Sequence, residues 1–361
     1  MNTDTLNRKN VNIIFVDPRC KINYASFYIY GIRCVFPKAK IKWKCFDDLN
    51  ISTDEQTRVG FAIKLLFNNT TIYNIYIDYG DWNTIEESYY KWSNIYAKIN
   101  LRPTDKNREK VIAIGPSFGI KLWNPFKTIL LGIYHYRLIK NSSIEFHKTF
   151  QQFISSYLYM LLRRKSYNFY HKFGKERNDY VFSLHTLWYD DLTYNTTNML
   201  RGQFIRLCQK NIPIFEGGFY YINSQDVLNE FPKYADYKNR YSDIIIERRI
   251  SMRKYYNNLS KSLFVFNTPS VCGCHGWKLA EYLCAGKAII STPLNNLMPD
   301  VFLNGREYIE VTSNEELYKA ILNLRDNKSR VQELKKHAYD YFNNSLSPES
   351  VIKKIVFSLF P

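Results

Sequence analysis

The chain has 361 residues, 45% hydrophobic and 17% aromatic, with 50 Lys and Arg against 33 Asp and Glu. That length exceeds one small core and suits two domains of about 100–200 residues each, and the apolar content excludes a disordered chain. The formal net charge of +17 calls for an anionic partner: nucleic acid, anionic lipid or a phosphorylated substrate.

In chain order, residues 11–16 form an apolar run closed by Asp17-Pro18, the pattern of a buried first strand. Residues 72–77 and 111–114 read as further strands, and residues 84–99 between them carry helical spacing. Alternating strand and helix signals predict a mainly parallel α/β unit. Residues 126–172 then hold Leu, Ile, Tyr and Phe at helical spacing without a strand signal, which predicts one or two amphipathic helices. The charge excess concentrates here: 11 Lys and Arg against 3 Asp and Glu between residues 121 and 180. One reading is helices packed on the first domain; the other is a basic aromatic face on an anionic membrane.

A second α/β unit begins near Asp179. Its expected elements are a strand at 180–184, a helix at 198–210, a strand at 212–215 stopping at Gly217-Gly218, a largely helical 241–259 and a strand at 263–266. A helix at 277–285, strands at 288–291 and 307–311, and helices at 314–324 and 329–342 follow. A last helix starts at Ser347-Pro348. The resulting division is 1–125, a helical basic segment 126–177, 178–345, and a terminal helix 346–361 packing back on the N-terminal domain.

Several function classes lack their residues. There is no glycine-rich phosphate loop, no His-Glu-x-x-His and no Asp-x-Asp. The Cys272-Gly273-Cys274-His275 run has no second Cys/His cluster near it in sequence, so no metal site is expected. The seven cysteines are irregularly spaced and argue against a disulfide framework. The polar N-terminus is not a signal peptide, and no apolar run approaches the ~20 residues that span a bilayer. A cytoplasmic protein is expected, peripheral on the inner membrane face if the basic segment docks there.

The most informative stretch runs from His275 to Pro293. Gly276 starts a helix, Lys278 and Glu281 share one face of it at a spacing of three, and Gly286 ends it before a buried strand. A helix N-terminus supplies N–H groups and partial positive charge for a phosphate, Lys278 adds a full charge, and Glu281 can accept two hydroxyls of a ribose. In an open parallel sheet, such a helix start lies at the ligand-binding edge.

The run Glu281-Tyr282-Leu283-Cys284-Ala285-Gly286-Lys287-Ala288-Ile289-Ile290-Ser291-Thr292-Pro293 resembles the donor-binding motif of GT-B glycosyltransferases, most closely the bacterial surface-polysaccharide (capsule and lipopolysaccharide) enzymes. That resemblance implies two Rossmann-like domains facing across a cleft. It implies a nucleotide-diphosphate-sugar donor, a glycan or lipid-diphosphate-linked acceptor, no cofactor or metal, and no nucleic acid. By it, Glu281 binds the ribose and Lys278 the diphosphate, with the backbone of Gly276 and Trp277, preceded by His275, at the helix start. Asn267, Thr268 and Ser270 follow a strand and face base or sugar. Arg201, read as the start of the helix after the unit's first strand, reads either as a second phosphate ligand or as a surface Arg, and His185, Asp190 and Asp191 face the cleft, Asp191 also readable as a turn cap. Asp17 and Asp81 are the candidate bases, each also readable as a turn residue. Many retaining members carry a second Glu eight residues before the ribose Glu; here that position is Gly273. The alternatives are an epimerase or phosphorylase on the same fold, or a basic nucleic-acid-binding protein.

Overall fold

The computed structural model describes residues 11–50, 60–140, 146–171, 176–189 and 194–360, without the side chains of 146–150, 152, 194 and 195. The chain divides into two compact units: residues 1–169, 296–300 and 344–361 form the first, and residues 170–295 and 301–343 the second.

The first unit opens with β1 (Val11–Val16), α1 (Ile22–Val35), β2 (Lys40–Trp43), β3 (Gly60–Phe67), β4 (Thr71–Asp78), α2 (Glu87–Trp92), β5 (Ile95–Lys98) and β6 (Val111–Ala113). These strands make one sheet in the order β2-β1-β3-β4-β5-β6. It is mixed: β3 runs antiparallel to both β1 and β4, and the other pairs are parallel. The expectation of a mainly parallel unit is corrected to this extent.

So is the helix expected over 84–99. Only Glu87–Trp92 is helical; Ile95–Lys98 is a strand held between β4 and β6. All four residues of β5 are buried, so it lacks the alternation that marks a half-exposed strand. Its last residue, Lys98, donates to Asp78 Oδ2 at 2.7 Å, and Tyr96 donates to the same oxygen at 2.6 Å. The aromatic excess is spent largely on cores: Tyr76 stacks on Tyr89 at 4.2 Å, with Tyr96 beside them.

Three helices complete this part: α3 (Pro125–Ile139), α4 (Phe146–Arg163) and α5 (Tyr167–Tyr170). Asn124 caps α3 by accepting from the Lys127 N–H at 2.8 Å, and Pro125 suits its first turn. Helix α4 packs against both α3 and α1.

The second unit holds β7 (Tyr180–Thr186), α6 (Tyr194–Asn211), β8 (Ile214–Tyr220), α7 (Gln225–Glu230), α8 (Tyr234–Arg240), β9 (Ile245–Ile246), α9 (Met252–Lys261), β10 (Phe264–Asn267), α10 (Trp277–Cys284), β11 (Ala288–Ser291), β12 (Ile309–Glu310), α11 (Asn314–Asp326) and α12 (Lys328–Tyr341). The chain ends in α13 (Pro348–Phe357), which belongs to the first unit and packs on α1.

Two parallel three-stranded sheets, β7-β8-β9 and β10-β11-β12, adjoin in the second unit. The Leu263 N–H donates to the Tyr180 carbonyl at 2.9 Å, which sets β10 beside β7. The strands therefore follow one another as β9-β8-β7-β10-β11-β12, the Rossmann order in which connections leave the centre in opposite directions. The point of reversal lies between β7 and β10. In the core beneath, Phe204 of α6 stacks on Phe266 at 4.6 Å. Val181 and Ile290 from the strands, with Ile321, Leu324 and Leu334 from α11 and α12, belong to the same buried cluster.

Two expectations are corrected here. Strand β8 does not stop at Gly217-Gly218 but runs through both, because glycine lets the backbone pass β7 and β9 more closely than any side chain allows. The segment 241–259 is helical only from Met252; before it lie a short turn and the two-residue β9.

Candidate functional site

The point of reversal gathers most of the residues singled out in the sequence. His185 lies within β7, which runs on to Thr186 rather than ending at Leu184, and Asn267 ends β10. Thr268 follows directly. Arg201 is eight residues into α6 rather than at its start, and Lys278 and Glu281 sit in the first turns of α10. All belong to the second unit.

Gly276 is the N-cap of α10, with extended backbone and no side-chain cap. The segment entering the helix is tightly wound: Cys272 and Gly273 both have positive φ, at 55° and 69°. The Ser270 N–H donates to the Cys274 carbonyl at 2.9 Å and the Gly273 N–H returns to Ser270 at 3.1 Å, which closes the loop. A Cβ on Gly273 would stand 2.7 Å from Asn295 Nδ2. With φ of 69° the position favours glycine, and a glutamate there would be strained. Trp277 is half-buried and His275 buried at the helix entrance.

Lys278 crosses from α10 to β7. Its ammonium donates to the Leu184 carbonyl and lies 3.1 Å from His185 Nδ1. His185 Nε2 is 3.0 Å from Ser183 Oγ. While Lys278 is an ammonium it can only donate, so Nδ1 is then the acceptor and the neutral imidazole carries its proton on Nε2. Burial, with Lys278 and Arg201 nearby, pushes the His185 pKa well down. Arg201 is buried and donates through Nε to Thr268 Oγ1 at 2.8 Å; burial lowers it to about 10. Lys278 is lowered to about 7, by burial first and then by Arg201, with Glu281 opposing. Neither cation forms a salt bridge among the described residues.

Glu281 is buried and accepts from the Tyr256 hydroxyl at 2.6 Å. Tyr256 is the site residue that sequence reading missed: it lies 25 positions upstream on α9, in a stretch read only as helix. Asn267 donates through Nδ2 to Ser291 Oγ at 2.9 Å, joining the ends of β10 and β11. Asp190 and Asp191 lie outside the described residues.

The two candidate bases lie in the first unit and differ sharply. Asp17 is fully buried at the end of β1. Its Oδ1 accepts from Arg19 Nε and the Arg19 N–H, both at 2.9 Å, and its Oδ2 from Arg19 Nη2 at 2.7 Å and the Phe46 N–H at 2.8 Å. Four donors saturate the carboxylate and tie β1 to the 46–49 turn, so its turn role is the one the geometry favours. Asp81 is exposed on the bend after β4. Among the described residues no group of three or more His, Cys, Asp or Glu could hold a metal ion, the 272–275 run included.

Residues 224–356 match the family model described as Glycosyl transferase-like. Over those residues, well under half of the chain, it is similar to glycosyl transferases. Most of the matched stretch lies in the second unit, whose strands follow the Rossmann order. Lys278, Glu281 and the α10–β11 stretch fall inside the matched region, and Arg201 and His185 precede it. Among solved structures, TarM of S. aureus matches with a TM-score of 0.42 and 10% identity, over 78% of this chain and 48% of that one. A glycosyltransferase from Rickettsia africae ESF-5 matches at 0.41 and 10%, over 78% and 69%. Sucrose-phosphate synthase from Thermosynechococcus elongatus matches at 0.39 and 12%, over 73% and 58%. This chain spans about half the length of TarM. No curated protein matches it in sequence.

Proposed function

We propose that the protein transfers a sugar from a nucleotide-diphosphate sugar to a glycan or lipid-diphosphate-linked acceptor in cell-surface polysaccharide synthesis, without a metal, at the cytoplasmic face of the membrane. The observation that carries this reading is the pairing of half-buried Lys278 and buried Arg201, neither in a salt bridge among the described residues, beside the first turn of α10, the helix that also carries Glu281. Desolvated cations outside any salt bridge are costly, and an anion held between them offsets the cost.

In this reading the diphosphate lies against Lys278, Arg201 and the N–H groups at the start of α10. Glu281, steadied by Tyr256, takes the ribose hydroxyls. Asn267, Thr268 and Ser270 line the strand end toward base or sugar. As the glycosidic bond breaks, negative charge grows on the leaving diphosphate, and preorganised cations stabilise that charge more than the bound donor's. Of the two candidate bases Asp81 is favoured here, because its side chain is exposed whereas the Asp17 carboxylate is saturated by four donors.

Thermal-shift screening against UDP-, GDP-, dTDP- and CMP-sugars tests the donor. A ligand at about 100 times its Kd adds ~2.7 kcal/mol, or ~5–10 °C for a unit of this size. Lys278→Ala and Glu281→Ala should each remove most of that rise, while Asp81→Asn should keep it and lose transfer. If no nucleotide sugar stabilises the protein, the reading fails. Release of an altered free sugar or a sugar phosphate without acceptor would instead favour an epimerase or phosphorylase.

A further inference from the structure

Helix α3 has its amphipathicity reversed. The side buried in the first unit carries Thr128, Gly132, His135 and Ile139, mostly small or polar. The side left exposed carries Phe126, Ile129, Leu130, Ile133 and Tyr134, with Phe126 73% exposed. These fall at spacings of three and four and form one apolar stripe. On α4, which packs beside it, Leu158 and Leu162 are also exposed, Leu162 by 72%. An apolar surface of this kind marks an interaction site.

Charge decides the occupant. Lys127, Arg137 and Lys140 are exposed on α3 and Arg163 at the end of α4. Residues 121–175 contain 10 Lys and Arg and one acidic residue, Glu145. A second copy laid on the same patch would set cations against cations. A bilayer surface rich in anionic lipid meets both needs, with acyl boundary for the stripe and headgroups for the cations. No helix among the described residues is long and apolar enough to cross a membrane. We infer that α3 and the exposed side of α4 form a membrane-docking face that lies on an anionic bilayer.

The inference deepens the peripheral placement proposed above and is independent of the transfer reaction, so it is tested on vesicles without donor. The full chain should co-sediment with phosphatidylglycerol-containing vesicles and far less with phosphatidylcholine alone. Lys127→Gln with Arg137→Gln and Lys140→Gln should weaken binding by roughly 100-fold, from about 1 kcal/mol per cation. Phe126→Ser with Leu130→Ser and Leu162→Ser should weaken it comparably and change the melting temperature by only a few degrees, since Phe126 and Leu162 are mostly in water already and Leu130 half so. Equal binding to both vesicle types would overturn the inference, as would an apolar variant that binds like the wild type. A solution dimer broken by the same apolar substitutions would also overturn it and assign the face to a second copy.

Discussion

Lys278 is poised to report its own ligand. Burial and Arg201 hold its pKa at about 7, so near neutrality the empty site is only partly charged. A diphosphate against the ammonium favours the protonated form and raises that pKa. Between the two values the empty site must take up a proton to bind, so donor affinity falls as pH rises, by up to about tenfold per unit. Calorimetry in buffers of different ionisation enthalpy should show uptake approaching one proton per donor near pH 8, by the same linkage argument. Below about pH 7 the uptake should fade, because the ammonium is already charged. Lys278→Ala should flatten the pH dependence. An affinity unchanged from pH 7 to 9 in the wild type would show that the anion does not meet this ammonium.

At the scale of elements, β8 depends on glycine in a way a substitution can measure. Gly217 has φ of 131°, and a Cβ there would stand 1.8 Å from the Ser183 carbonyl oxygen of β7. The obstacle is backbone, so the strands must part. Gly217→Ala should cost at least ~2 kcal/mol and lower Tm by ~5 °C or more. Gly276→Ala is the control, since its added Cβ would meet only the Ser270 Cβ at 3.7 Å, an ordinary contact. Similar melting temperatures for the two variants would show that β7 and β8 are not so closely apposed. The same elements show what could be read in advance. The stretch from α10 to β11 was legible because every signal agrees: Gly276 at the start, Gly286 with φ of 55° at the end, then four buried residues. β5 was not, because Ile95-Tyr96-Ala97-Lys98 is buried on both faces and gives no period. β9 was not, because two residues carry no pattern. In the site, Lys278 and Glu281 were visible from their spacing along one helix. Tyr256 was hidden because its contact with Glu281 exists only once α9 packs against α10.

For the whole molecule, the charge of +17 resolves into two local uses with different physics. Lys278 and Arg201 are enclosed, so their effect on an anion is weakly screened and specific. Lys127, Arg137, Lys140 and Arg163 are in water, and their attraction for a charged surface decays within ~8 Å at physiological salt. The two sets also belong to separate units. Sites that share no partners act additively to within about 0.5 kcal/mol. Crossing the variants should therefore give independent losses. Glu281→Ala should lose the donor-induced rise in Tm and still sediment with anionic vesicles, more weakly as salt is added. The Lys127, Arg137 and Lys140 variant should lose the vesicles and keep the donor shift, which salt changes far less. If the vesicle-binding variant also lost the donor shift, the two sets of cations would be serving one anionic ligand rather than two.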